Sequence, residues 1–229
     1  RHEAWESLAR KLAHEIKNPL TPIQLTVDRL KTKYSKKLEA NEKEDYEKSL
    51  KVIGKQIKQI ENLVNEFSDF ARMPKPILKD NNLVIIVKDN INLLKELDTT
   101  IELIFTPLED NMFFNCDSEQ LSRVIFNLMK NSIESIQEKK LNIPNYKGKI
   151  EIVLTNKDTY IVLMVKDNGV GYGKFKDNIK DILNPYFTTK EKGTGLGLAI
   201  VNKIISDHHG LLDFKSLVDG AQTQIKFNK

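Results

Sequence analysis

Apolar residues follow two different rhythms along this chain, and the rhythm changes near residue 75. Before that point they step by three and four. Trp5, Leu8, Leu12, Ile16, Ile23, Val27 and Leu30 make one such series. Tyr46, Leu50, Ile53, Ile57, Ile60, Val64, Phe67 and Ala71 make a second, alternating four and three throughout. A stripe of this kind is the seam of a coiled coil. A polar connector, about Ser35 to Asp45, separates the two series. The pattern predicts two long helices folded back as an antiparallel hairpin. Two helices alone bury little surface, so a second copy is expected to complete a four-helix bundle, making the protein a homodimer. The alternative is a monomeric hairpin packed on the rest of the chain.

Pro74 and Pro76 mark the change of rhythm, each steering the residue before it away from helix. They place a boundary near residues 73–77 and predict two domains, residues 1–76 and 77–229. Beyond it the pattern reads as α/β, so the fold class of the whole is α+β. Leu83 to Leu97 has helical spacing. Ile101 to Thr106 and Met112 to Cys116 look like a pair of strands. Asp117 with Gln120 resembles a capping box opening a helix to about Lys139. Lys149 to Thr155 and Tyr160 to Lys166 read as strands joined by a turn at Asn156-Lys157-Asp158. Leu196 to His208 reads as a helix that Gly210 terminates, and Leu211 to Leu217 and Gln222 to Phe227 as two last strands.

Composition narrows the function classes. Of 36 cations against 32 anions, only five are Arg. The net +4 lies wholly in residues 1–76, with 16 cations and 12 anions, while residues 77–229 are neutral. A nucleic-acid surface would carry a stronger and more Arg-rich excess. The 40% hydrophobic content is enough for a core. No apolar run approaches the roughly 20 residues that span a bilayer, and no signal peptide opens the chain. Cys116, the single cysteine, excludes an internal disulfide. These features predict a soluble chain in a reducing compartment, without nucleic acid or membrane contact of its own.

Four groups of residues carry candidate chemistry. His14 lies about 180° around a helix from the midpoint of Leu12 and Ile16, so its imidazole is expected away from the apolar face. Glu15 is its neighbour and can accept from one ring nitrogen, leaving the other nucleophilic; Asn18 lies one turn on. Pro19 and Pro22 are expected to kink this helix. On spacing alone a solvent-facing helical histidine is more often an ordinary surface residue. His2, His208 and His209 read as structural. The second group is Asn127, Asn131 and Glu134, polar residues edging an apolar helix stripe, where side-chain oxygens suit hydrated Mg2+ or merely water. Third, Asp167-Asn168-Gly169-Val170-Gly171 ends a strand; its carboxylate can accept from an exocyclic amine while the glycines admit a planar ring, although Asp-Asn-Gly alone is only a turn. Fourth, Lys190-Glu191-Lys192-Gly193-Thr194-Gly195-Leu196-Gly197 leads into a helix, an arrangement suited to anions. It is neither a Rossmann fingerprint nor a Walker loop.

Taken in order, these runs resemble the motifs of two-component sensor histidine kinases. His14-Glu15-Ile16-Lys17-Asn18-Pro19-Leu20-Thr21-Pro22 is similar to their phosphoacceptor motif, and Asn127 to Ile136 to their asparagine box. Asp167 to Gly171 and Gly193 to Gly197 resemble their glycine boxes, and Pro185 to Lys190 their phenylalanine-containing motif. Ala4 to Leu25 and Glu66 to Pro76 are similar to the NtrY-type nitrogen-regulation kinases. The resemblance implies a dimerisation and phosphotransfer domain followed by a Bergerat-type ATP-binding sandwich, shared with Hsp90, gyrase B and MutL. It implies autophosphorylation of His14 from ATP and Mg2+, transfer to an aspartate of a response-regulator receiver domain, and phosphatase activity aided by Asn18. Asp167 would read the adenine amine, with Gly169 and Gly171 lining the base. Asn131 and Asn127 would hold Mg2+; Lys190, Gly193, Thr194, Gly195, Leu196 and Gly197 would steady the triphosphate; residues between Tyr172 and Lys192 would form a lid. Related ATPases place a water-activating glutamate where this chain has Asn127, which favours transfer over hydrolysis. By the same resemblance the parent protein is expected to be anchored in the inner membrane, with this kinase core in the cytoplasm. The polar run Gly220-Ala221-Gln222-Thr223-Gln224 departs from the family pattern, so the last strand is expected to pack less tightly. A non-catalytic receiver-docking scaffold and a plain Bergerat ATPase are the rival readings.

Overall fold

The computed structural model describes residues 2–172, 183 and 195–229, with side chains from residue 10 onward. Among the described residues its backbone falls into two compact units, one of residues 2–74 with Gly195 and Leu196, the other of residues 75–172, 183 and 197–229.

The first unit is the hairpin of α1 (His2–Tyr34) and α2 (Ala40–Ala71). Its apolar stripe splits into two lines, each with a seven-residue step. Ala13, Leu20 and Val27 on α1, with Leu50, Ile57 and Val64 on α2, are buried or half-buried. Val27, Leu50 and Ile57 form a cluster against which Leu20 and Tyr46 pack. The second line, Ile16, Ile23 and Leu30 with Ile53 and Ile60, remains 37–45% exposed. Leu12 and Ile16, expected to bracket the buried face, are therefore exposed, and Ala13 is buried instead. The stripe is wider than one partner helix can cover. Pro19 and Pro22 lie inside α1, which continues through both. Without their N–H groups the carbonyls of Glu15 and Asn18 lose their helical donors, and the Thr26 hydroxyl donates to the Pro22 carbonyl at 2.7 Å.

The second unit is a helix layer on a five-stranded sheet. In chain order it contains β1 (Lys79–Asn82), α3 (Leu83–Lys95), β2 (Ile101–Pro107), β3 (Phe113–Cys116), α4 (Ser118–Asn142), β4 (Gly148–Asn156), β5 (Tyr160–Asp167), α5 (Gly197–Asp207), β6 (Gly210–Ser216) and β7 (Ala221–Asn228). The sheet order is β2-β4-β5-β7-β6, parallel only between β2 and β4. Strict alternation puts Ile150, Ile152 and Leu154, Ile161, Leu163 and Val165, and Ile225 and Phe227 in the core. α4 packs on β4 and β5 and touches both α3 and α5.

The expected pairing of residues 101–106 with 112–116 is not what forms. β2 runs parallel to β4, from Ile101 opposite Gly148, and β3 pairs antiparallel with β1, Lys79 opposite Cys116. Alternation identifies a strand but not its neighbour. β1, Lys79-Asp80-Asn81-Asn82, has no apolar alternation to announce it. Its side chains do the fixing: Asn81 donates to the Cys116 carbonyl at 2.8 Å. The Asn82 Oδ1 accepts from the N–H groups of Val84 and Met112, both at 3.1 Å, capping α3.

Two ends also differ from expectation. α5 stops at Asp207, and His209, at φ 55°, takes the left-handed position assigned to Gly210, which instead opens β6. β7 is not loosely packed: Ile225 and Phe227 are almost wholly buried, with the Phe227 ring 5.2 Å from that of Phe114.

Candidate active site

α4 carries much of the candidate site, and Asp117 sets where it starts. One carboxylate oxygen accepts from the N–H groups of Glu119 and Gln120, at 3.1 and 3.0 Å. The other accepts from the Ile77 N–H at 2.8 Å. Burial works against the Asp117 charge, but these three donors, helped by His208, hold its carboxyl below the usual range. Its own N–H donates to His208 Nε2 at 3.0 Å, and His208 Nδ1 lies 2.8 Å from the Ile204 carbonyl. His208 is therefore structural, joining the end of α5 to the start of α4. Neighbouring Cys116 is buried, and that burial, against the opposing effect of Asn81, pushes its thiol up to about 11; it is unreactive.

Further along α4, Asn127, Asn131 and Glu134 are half-buried. The next residue after Asn131, Ser132, donates its hydroxyl to Asp167 Oδ2 at 2.9 Å. The Gly169 N–H donates to Asp167 Oδ1, also at 2.9 Å. Asp167 ends β5 and is only 7% exposed. One turn from Ser132, Ser135 accepts from the Val170 N–H through its hydroxyl, at 3.0 Å. The turn thus lies flat on α4, and a Cβ on Gly169 would sit 2.2 Å from the Ser135 hydroxyl. Gly220 closes the other side: at φ +101°, a Cβ there would lie 1.9 Å from the Asp167 carbonyl. Asn168 anchors the turn to β4, accepting from the Lys149 N–H at 2.8 Å and donating to the Lys147 carbonyl at 2.9 Å. Tyr172 follows Gly171 and meets the Thr223 hydroxyl at 3.2 Å. Burial pushes the Tyr172 phenol up to about 12, the bond to Thr223 opposing and the Asp167 charge adding.

The structure thus brings Asp167 and Gly169 together with Ser132 and Ser135 of α4, and Gly171 with Gly220; Asn131 precedes Ser132 on the same helix. Ser132, Ser135, Gly220, Tyr172 and Thr223 were missed by sequence reasoning. The one legible sign was two serines three apart beside the asparagines, small residues on the face that a turn must approach. A carboxylate oxygen retains lone pairs after accepting one bond, so Asp167 can accept from a further amine. Gly195, at φ +71°, and Leu196 precede Gly197, which opens α5. Lys190, Gly193 and Thr194 lie outside the described residues, as do Pro185 to Thr189 and, Leu183 excepted, the expected lid from residue 173. Among the described residues no group of three or more His, Cys, Asp or Glu could hold a metal. The amide oxygens of Asn127 and Asn131, one turn apart, fit Mg2+ differently, as one or two hard ligands to an ion that otherwise keeps water and phosphate oxygens.

His14, Glu15 and Asn18 belong to the first unit, with which Gly195 and Leu196 also group, and Asn127, Asn131, Asp167, Gly169, Gly171 and Gly197 to the second. All three hairpin residues are exposed. At about 100° per residue, His14 falls outside both apolar lines of α1.

Comparison with known proteins covers both units. Residues 4–76 match the family described as His Kinase A (phospho-acceptor) domain. Residues 116–229 match the histidine kinase-, DNA gyrase B- and HSP90-like ATPase family. An NtrY-like sensor histidine kinase of Rickettsia prowazekii is 41% identical over 226 residues, covering 98% of this chain and 36% of the relative. Nitrogen regulation protein NtrY of Azorhizobium caulinodans is 35% identical over 227 residues, covering 99% of this chain and 29% of the relative. The chain therefore spans about a third of the length of these curated relatives. Among solved structures, histidine kinase ThkA in complex with response regulator protein TrrA superposes with a TM-score of 0.67 at 23% identity, over 97% of this chain and 61% of that one.

Proposed function

The chain belongs to the sensor histidine kinase family, with NtrY-like proteins among its relatives, and from that premise we propose the following working of its two parts. Residues 1–76 form the dimerisation and phosphotransfer domain, and residues 77–229 bind ATP. The protein phosphorylates His14 and passes the phosphoryl group to an aspartate of a response-regulator receiver domain, in nitrogen-related signalling. The observation that carries this reading is the coexistence in one chain of an exposed His14–Glu15 pair and a buried Asp167 set in a glycine turn against α4.

Asp167 accepts from the adenine amine, its orientation fixed beforehand by Ser132 and Gly169. Gly169 lets the turn close on Ser135 and Gly171 lets it pass the Gly220 carbonyl, and the two would line the base. By the family resemblance, Lys190 and the backbone N–H groups of Gly193 to Gly197, the run that leads into α5, would steady the triphosphate. Asn131 and Asn127 would hold Mg2+, which when bound neutralises phosphate charge. His14 attacks the terminal phosphorus in line: a P–N bond forms and the bridging P–O bond breaks. ADP leaves with the electron pair, and the ring proton passes by way of Glu15 to solvent. Phosphoryl transfer runs through a loose transition state, so positioning and electrostatics supply most of the catalysis. Asn127 is an amide and cannot act as a base towards water, which favours transfer to His14 over hydrolysis. Asn18, one turn beyond His14 and exposed, would by the family resemblance orient water for dephosphorylating the regulator. The second exposed apolar line on α1 and α2 suits a second copy of the hairpin.

The response-regulator partner draws support from the ThkA–TrrA complex, and the link to nitrogen from the Azorhizobium relative. No helix of the described residues is long and apolar enough to cross a membrane; the membrane-anchored parent, with this core in the cytoplasm, rests on the resemblance. In the full chain, Asn131→Ala and Asp167→Asn should each abolish measurable ATP binding by calorimetry while the dimer persists. Unchanged ATP affinity in both would contradict the assignment.

A further inference from the structure

Lys139 stands in the last turn of α4, where a basic residue would ordinarily serve only the helix dipole. Its side chain is folded back and only 15% exposed. The ammonium donates to the carbonyls of Asn168 and Gly169, at 3.0 and 3.1 Å. It also pairs with Asp219 and lies 4.7 Å from the centre of the Tyr146 ring. The Tyr146 hydroxyl donates to the same Asn168 carbonyl at 2.7 Å and meets Asp219 Oδ2 at 3.1 Å. Burial opposes the Lys139 charge, yet Asp219 and Tyr146 hold its pKa above the ordinary value.

The two carbonyls matter because a peptide unit is planar. The Asn168 carbonyl and the Gly169 N–H are opposite ends of one peptide, and that N–H is the donor to Asp167 Oδ1. The Gly169 carbonyl and the Val170 N–H are opposite ends of the next, and that N–H bonds Ser135. A cation holding both carbonyls sets the rotation of both planes, and so aims the N–H that orients Asp167. It also polarises each peptide, strengthening the bond at its far end. Asp219 extends the grip to the segment before Gly220, the glycine that lets β7 start against the Asp167 carbonyl.

We propose that Lys139, with Tyr146 and Asp219, is a positioning clamp that sets Asp167 for recognition of the adenine base. This rests on the ATP-binding reading above. Lys139 acts from the far side of the turn, through the backbone, and is not itself a catalytic residue.

The test uses the full chain, with ATP affinity, the KM and kcat of autophosphorylation, and competition by inorganic tripolyphosphate, which has phosphates but no base. Lys139→Met should raise the ATP Kd and KM about tenfold, the scale of losing charge-assisted hydrogen bonds. The kcat at saturating ATP and the tripolyphosphate affinity should stay unchanged, and Lys139→Arg should recover part of the loss. Asp219→Asn should shift the ATP KM in the same direction by less, and the double variant with Lys139→Met should be no worse than Lys139→Met alone. Should Lys139→Met fail to fold, Asp219→Asn and Tyr146→Phe give the answer, since Asp219 is exposed and Tyr146→Phe keeps the ring. ATP KM unchanged in these variants, or ATP and tripolyphosphate weakened together, overturns the clamp. If the unmodified chain binds no ATP, the ATP-binding reading falls and the clamp with it, an outcome separate from either of those.

Discussion

Asp117 shows how much one carboxylate can organise. Its side chain caps α4, holds the N–H of Ile77 and sits beside the backbone link to His208. Because the folded carboxyl titrates below its ordinary value of about 3.9, its charged interactions stabilise fully above that value. They are lost as pH falls through the lower, folded one. Asp117→Asn should therefore cost about 1 kcal/mol in urea unfolding at pH 7, and the gap from the unaltered chain should close as pH falls through the lowered, folded carboxyl pKa. A gap that stays the same across that range would show that the charge does not matter. At this scale the site was unevenly legible. Asp167, Gly169 and Gly171 could be read because they are contiguous and chemically distinctive. Ser132, Ser135 and Gly220 could not, because their roles exist only once α4 and β7 have been brought to the turn. His209 shows the same limit: the left-handed backbone at its position depends on where β6 must begin, not on the residue that best tolerates it.

Among the elements, the hairpin was legible almost entirely, because a seven-residue step survives translation into any helix packing. What periodicity could not supply was the division of the stripe into a line covered by the partner helix and a line left exposed. That division makes a prediction. Ile53→Lys with Ile60→Lys should give a monomer by sedimentation equilibrium with helix content retained, since both residues lie on the exposed line. Leu50 and Ile57 on the covered line are the contrasting case, where a charge would disrupt the hairpin itself. A dimer that persists with both lysines in place would mean that another surface joins the copies. The strands were less legible. β4, β5 and β7 alternate cleanly and were found; β1 is wholly polar and was not. Without β1, residues 112–116 had no visible partner except β2, although β2 belongs beside β4, which lies a whole helix further along the chain.

For the whole molecule, the two compact units answer to two chemistries. Residues 1–76 carry the net positive charge and an exposed histidine; residues 77–229 are neutral and carry the buried carboxylate. The two family matches leave residues 77–115 between them. Those residues supply β1, α3, β2 and most of β3, which cap, pair and lead into α4, so the sheet unit is not complete without them. In the proposed function the chain moves a phosphoryl group from ATP to His14. The most direct test is incubation with γ-labelled ATP and Mg2+, followed by denaturing electrophoresis and acid or base treatment. The expected result is a label on the protein that acid removes and base does not, and no label on His14→Gln. A label that survives in His14→Gln, or steady phosphate release with no labelled protein at all, would contradict it.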